Sequence, residues 1–321
     1  MLTRSTEEFG WLIVHDAIEA FLENLILSMG NAAHQEALFE MIPSIAKYGK
    51  LTLEQFEPVI ENYFAFIANS LEQNDESIAR ACKGLSLFLG SASEPNVEYF
   101  IEHFSSISAL ISRMVGSLEI REQGLNLFAT YFQMEANQQI WYLLLEQSQF
   151  LNVAKETLCQ TEHLFMLVQC YALLLQASTL NFRNNEQILR SDVFPLIVQH
   201  TKSNLSCLAW SFQELAVKFI VGVLETAGEP HIGILVELGM IEALCETVST
   251  AIEEALVANA FEKVLDLGKT LIGGDKVVFN PVALRMAEWG ILNISVPYVI
   301  QDLLDDYLGA IYQQYLAGTP G

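Results

Sequence analysis

The chain has 321 residues, 52% of them hydrophobic and 17% charged, with 39 Asp and Glu against 16 Lys and Arg for a net charge of −23. That apolar content excludes a disordered chain. So few basic residues exclude direct binding to a nucleic-acid backbone, which takes clustered Lys and Arg. The acids run along the whole chain rather than forming a tail, and they favour basic protein partners through long-range attraction.

Thr6-Glu7-Glu8 opens a predicted helix that runs to about Met29, with Gly30 placed for a left-handed cap. Its apolar stretch from Trp11 to Val14 is broken by His15, Asp16 and Glu19, so it does not read as a secretion signal. Pro43 should kink the next helix. Thr52 and Gln55 form a capping box for a helix through Ser70, in which Pro58 should place a second kink. Asp75, Ser93 and Asn137 read as further N-caps, with Pro95 just past Ser93. The stretch Leu164 to Leu180 lacks charges, but Gln169, Gln176, Ser178 and Thr179 make it a buried repeat helix rather than a membrane span. Sustained period-two alternation is missing, so β-structure is expected to be minor or absent. The loop Gly273-Gly274-Asp275 is the expected hinge, and Gly318 to Gly321 should fray.

One pattern recurs every forty-odd residues: a polar opening, a brief apolar helix, a small loop and a longer apolar helix. The openings are PNVEYFIEHF from Pro95, NQQIWYLLLE from Asn137, NEQILRSDVF from Asn185, HIGILVELGM from His231 and NPVALRMAEW from Asn280. A helical unit of that length signals an α-solenoid, whose repeats bury their apolar faces only against neighbours. The expectation is an all-α chain with 1–94 as two looser helix pairs and 95–321 as five repeats, about seven in one solenoid over 1–321. In LAWSFQELAVKFIVGVLE, residues Leu208, Phe212, Leu215, Phe219 and Val223 form an apolar stripe, with Trp210, Glu214 and Lys218 on another face.

Catalytic chemistry finds little support. Cys82, Cys159, Cys170, Cys207 and Cys245 form no CxxC pair, which suggests a reducing compartment. His15, His34, His103, His163, His200 and His231 lie in different segments without metal-ligand spacing and read as surface or boundary residues. Gly268-Lys269-Thr270 imitates the tail of a phosphate loop, but position 263 is Lys and the match sits at a helix C-terminus, which repels phosphate. Neither GxSxG nor GxGxxG occurs. Catalytic residues, cofactors and metals are therefore expected to be none.

The stretches NEQILRSDVFPLIVQHT with LAWSFQELAVKFIVG, and HIGILVELGMIEALCETV with ALVANAFEKVLDLG, resemble armadillo repeats, the first third of the chain being closer to HEAT repeats. ELGMIEAL from Glu237 and EWGILNIS from Glu288 repeat the Gly-hydrophobic-hydrophobic step between the two short helices of such repeats. The resemblance implies a right-handed superhelical solenoid. In style the acidic solenoid is similar to nuclear-transport receptors; armadillo proteins that receive basic nuclear-localisation peptides carry a Trp four residues before an Asn on successive third helices. The corresponding pairs here are Asn126/Thr130, Gln169/Leu173, Trp210/Glu214 and Asn259/Lys263, and only Trp210 matches. An orthodox localisation-signal receptor is therefore not expected. The resemblance implies a non-enzymatic scaffold or adaptor in the cytoplasm or nucleus, holding a basic or extended protein segment against Asn126, Thr130, Gln169, Trp210, Glu214, Asn259 and Lys263. Direct nucleic-acid binding and membrane insertion are not expected. The alternatives are a chaperone cofactor clasping a folded domain, or a structural subunit with an apolar patch near Tyr307, Tyr312 and Tyr315.

Overall fold

The computed structural model describes residues 53–68, 74–90, 97–134, 137–202, 206–228, 230–247, 253–268, 270–271 and 277–279, with isolated positions 20, 23, 24, 41, 282 and 285. Within 53–56, 97–99, 133–134, 206–212 and the two strands only the backbone is described. The expectations for Thr6 to Gly30, Pro43, Thr52, Ser93, the Gly273-Gly274-Asp275 loop, the Asn280 opening, the Glu288 step, the C-terminal tyrosines and Gly318 to Gly321 lie outside these residues.

Helices α1 (Leu53–Ala68) and α2 (Asp75–Gly90) form the first described pair. Four complete short–short–long repeats follow among the described residues. The first holds α3 (Val97–Glu102), α4 (Phe104–Gly116) and α5 (Leu118–Met134). The second holds α6 (Gln138–Gln147), α7 (Phe150–Leu158) and α8 (Leu164–Leu180). The third holds α9 (Phe182–Leu189), α10 (Val193–Lys202) and α11 (Ser206–Thr226). The fourth holds α12 (His231–Glu237), α13 (Met240–Thr247) and α14 (Glu254–Leu267). An antiparallel hairpin of β1 (Thr270–Leu271) and β2 (Val277–Phe279) makes β-structure minor rather than absent. The chain divides into two compact units, Met1–Leu173 and Leu174–Gly321.

Local chemistry sets the helix ends. Asn137 caps α6 by accepting the Gln139 N–H at 2.8 Å, as its sequence position predicts. The cap of α2 is Asn74 and not Asp75, because the Asn74 Oδ1 accepts the Ser77 N–H at 2.8 Å and leaves Asp75 as the first helical residue. The third repeat opens at Asn181, which accepts the Asn184 N–H at 2.9 Å, four residues before the expected Asn185. Such a cap stabilises a helix by about 1 kcal/mol. The corner between the two short helices uses Ser148 and Ser191, whose hydroxyls each accept the N–H two residues on, from Phe150 and Val193. In the fourth repeat Gly239 makes that corner with φ +73°, a left-handed conformation that explains the expected glycine step. Pro58 lies inside α1, where Asn62 Nδ2 donates to its carbonyl at 2.7 Å.

Within Met1–Leu173, α2 packs along α5, and α4 packs against α1, α5 and α7. The core is aromatic where the first and second repeats meet. Trp141 stacks on Phe132 at 4.7 Å and meets Phe150 edge-on at 5.8 Å, while Phe100 touches Tyr131 and Phe132 at 4.9 and 5.5 Å. Trp141 is fully buried, and truncating such a ring to Ala costs about 3–5 kcal/mol. Arg121 is also buried, with Nε and Nη2 donating to the Met114 and Val115 carbonyls at 2.8 Å each. It thereby closes the C-terminus of α4, where a cation is favoured. Arg113 pairs with Asp75, and that hydrogen bond, with one from Ser117, holds the Asp75 carboxyl below its usual range.

Within Leu174–Gly321, α11 packs on α14 and α10, and α10 on α13. Asn185 is fully buried and its Nδ2 donates to the Val223 carbonyl at 2.9 Å and to Thr226 Oγ1 at 2.8 Å. The Thr226 hydroxyl in turn donates to the Ser178 carbonyl at 2.8 Å, joining three helices through one polar chain. Gly222 lets α8 approach, since a Cβ there would come within 2.1 Å of Leu175 Cδ1. His231 is buried rather than at a boundary, as is His200, and its ring packs on Phe182 at 4.2 Å. Its Nδ1 accepts the Gly228 N–H at 3.0 Å, which leaves the neutral-form proton on Nε2. Burial pushes its pKa down, with Glu186 opposing and Arg190 reinforcing the shift.

Two outcomes are expected. Asn185→Ala should destabilise the chain by about 1–3 kcal/mol, because buried acceptors lose their donor. Combined with Thr226→Val it should show a coupling of about 0.5 kcal/mol or more in a denaturation double-mutant cycle. For His231, the unfolded chain takes up a proton below about pH 6.5 that the folded chain resists. Stability should therefore fall as pH drops through about 6.5, and urea midpoints should lose part of that slope in His231→Phe.

Candidate functional site

Each third helix of a repeat is packed on most of its circumference and shows one stripe to solvent. On α5 the stripe holds Glu119, Glu122, Gln123, Asn126 and Thr130. On α8 it holds Phe165, Val168, Gln169, Ala172, Gln176 and Thr179. On α11 it includes Glu214, Lys218 and Glu225, and on α14 Ala255, Asn259, Glu262, Lys263 and Asp266. Spacings of three and four residues keep each set on one side of its helix.

Six of the residues singled out by sequence, Asn126, Thr130, Gln169, Glu214, Asn259 and Lys263, are half-buried or exposed on their helices and have different partners. In the first unit, half-buried Asn126 donates through Nδ2 to Ser86 Oγ of α2 at 3.0 Å, leaving its Oδ1 without a partner among the described residues. Thr130 Oγ1 lies 2.8 Å from Ser86 Oγ and donates to the Asn126 carbonyl at 2.9 Å. Gln169 is half-buried, without a side-chain partner among the described residues. In the second unit, Glu214 pairs with Lys218 one turn on, and Lys263 pairs with Glu225 at 3.3 Å. Asn259 is exposed with its amide unpartnered among the described residues. The backbone of Trp210 is in α11; its side chain lies outside the description. Ser86 was missed because it lies in the stretch read as a looser helix pair. Its signal was its place 40 residues ahead of Asn126, one repeat away.

Burial also sets the register between third helices. Buried Gly124, Leu125, Phe128 and Tyr131 of α5 match Cys170, Tyr171, Leu174 and Ala177 of α8. These in turn match Ala216, Val217, Ile220 and Val223 of α11, then Val257, Ala258, Phe261 and Val264 of α14. On that register Asn126, Ala172, Lys218 and Asn259 are equivalent. Gln169 stands three residues before Ala172, equivalent to Gln123, and Leu173 is buried in the core at 2% exposure.

Three of the described cysteines, Cys82, Cys170 and Cys245, are buried. Burial pushes the thiols of Cys82, Cys170 and Cys245 up to about 12, whereas an activated thiol titrates below its ordinary value. No cluster of three or more His, Cys, Asp or Glu among the described residues is arranged to hold a metal ion. No described helix is long and apolar enough to cross a membrane.

No protein-family model and no curated protein sequence matches this chain. Solved structures do. An engineered protein superposes with a TM-score of 0.60 at 11% identity, over 78% of this chain and 96% of that one. A designed armadillo repeat protein gives 0.56 at 16% identity, over 76% and 97%. A second designed armadillo repeat protein, in complex with peptide (KR)4, gives 0.55 at 15% identity, over 77% and 98%. Identities this low carry fold and nothing finer. The chain has the armadillo-like α-solenoid repeat fold.

Proposed function

We propose that this chain is a non-enzymatic protein-binding scaffold whose third-helix stripes, each within its own unit, meet a basic, extended segment of a partner. The observation that carries the reading is the stripe itself. Every described third helix from α5 to α14 buries most of its surface yet leaves an open row with carboxylates or amides, on a chain of net charge −23. A field of that sign draws cationic segments and repels phosphate backbones. The similar designed protein in complex with a Lys-Arg peptide supports the same chemistry.

Within the proposed contact set the residues divide by what they have left to offer. Asn126, Gln169 and Asn259 retain amide atoms for the backbone of an extended peptide. Glu214 and Lys263 are held in surface ion pairs that a charged ligand exchanges at little cost. Thr130 supports Asn126 through Ser86. Nuclear transport is the narrower form of this reading, and a cytoplasmic or nuclear setting is its natural place.

Fluorescence anisotropy with a labelled (Lys-Arg)4 peptide tests it. Affinity should fall about tenfold or more between about 50 mM and about 500 mM salt, as the screening length shrinks roughly threefold. Glu214→Lys should weaken binding more than Glu214→Gln, because reversal adds repulsion, while thermal stability barely moves. Salt-independent affinity would sink the electrostatic reading and put the clasp of a folded domain ahead.

A further inference from the structure

Helix α8 departs from the polar character of its counterparts. Its open face carries Phe165 at 54% exposure, Val168 at 42% exposure and exposed Ala172, set three and four residues apart. A repeat helix this apolar was expected to be buried, yet its open side is apolar too. In the register fixed by burial, Phe165, Val168 and Ala172 stand level with Glu119, Glu122 and Asn126 of α5. All six belong to the unit Met1–Leu173. Arg121 of α5 donates to Gln160, just ahead of α8, at 3.2 Å, which brings the start of α8 beside α5.

Charge decides what this face takes. Glu119 and Glu122 are exposed and have no ion-pair partner among the described residues, whereas Glu76, Glu214 and Glu225 are paired with Arg80, Lys218 and Lys263. Two free carboxylates beside an uncovered aromatic call for a cation next to an apolar group. A second copy of the chain brings its own charge of −23 against the same field and is disfavoured.

We propose that Glu119, Glu122, Phe165, Val168 and Ala172 form a composite recognition face for an extended peptide that pairs a large apolar side chain with a nearby Lys or Arg. The apolar side chain covers Phe165, Val168 and Ala172, and the cation meets Glu119 and Glu122. Packed helices lie about 8–10 Å apart, and an extended chain rises about 3.3 Å per residue. The two side chains are therefore about two to three residues apart in the ligand. This assignment rests on the scaffold reading above and narrows it from basic segments to segments of mixed apolar-basic character.

The test uses the full chain and three labelled synthetic peptides: (Lys-Arg)4, a Gly-Ser peptide with Trp flanked by Arg at two and three residues on each side, and the same peptide with Ser for Trp. The Trp peptide should bind about tenfold more tightly than its Ser counterpart. Phe165→Ser with Val168→Ser should erase that preference and leave the Ser peptide's affinity unchanged. Glu119→Gln with Glu122→Gln should weaken both peptides alike. Circular dichroism checks each variant's fold, and Phe165→Gln alone gives the same reading should the double change fail to fold. Equal affinity for the Trp and Ser peptides, or a preference that survives the Phe165 and Val168 changes, overturns this proposal while (Lys-Arg)4 binding keeps the scaffold reading. Failure of all three peptides to bind overturns both. A dimer in sedimentation that the Phe165 and Val168 changes dissolve also overturns it, because a second copy then covers the face.

Discussion

A repeat of two short helices and one longer one cannot bury its own apolar face, so each must complete its core with the next one in the chain. That constraint is visible in where the long-range polar contacts go. Asn126 reaches Ser86 and Arg121 reaches Gln160, 40 and 39 residues away. Asn185 reaches Thr226 and Thr226 reaches Ser178, at separations of 41 and 48. The ion pairs Lys263–Glu225 and Arg285–Glu242 obey the same spacing. Each contact spans about one repeat, so the polar scaffold carries the period of the apolar one.

The same constraint creates the surface available for binding. Within its own unit α5 packs along α2 and against α4, and α11 packs on α14 and α10, so each leaves only a limited row of side chains open. Selection for packing therefore leaves those positions free to vary, and in this chain they vary in an ordered way. On α5 they are acidic and amide-bearing, on α8 apolar at Phe165, Val168 and Ala172 with Gln169, Gln176 and Thr179 among them, and on α11 and α14 largely charged. The architecture supplies identical shelves, and the residues placed on them supply the discrimination.

Much of the fold was legible because helix faces and repeat length are written in single residues. Asn137 as a cap, the glycine at position 239 and the short–short–long order all follow from local physics. What escaped depended on tertiary partners. The Asn181 cap was overlooked because Asn185, a polar residue at a plausible start, is instead buried against Val223 and Thr226. His231 read as a boundary residue because nothing local reveals that Phe182, 49 positions earlier in the chain, covers its ring. A helix period alone cannot fix the phase between two repeats, so the burial register that aligns Ala172 with Asn126 was not legible in the sequence.

Burial also separates the polar residues that build the molecule from those that are free to meet a partner. Asn185 and Arg121 have most of their surface withdrawn from water, so exchanging their hydrogen bonds for a ligand would strand buried carbonyls at about 1–3 kcal/mol each. They are architecture. Glu214 with Lys218, and Glu225 with Lys263, sit on the open stripes, where an ion pair contributes about 0–1 kcal/mol and salt screens it. Breaking such a pair to accept a cationic side chain costs the fold almost nothing. Glu119 and Glu122 go one step further, having no partner among the described residues to give up. A cation arriving there gains its attraction without displacing another, and Phe165 beside it gains cover from the same ligand.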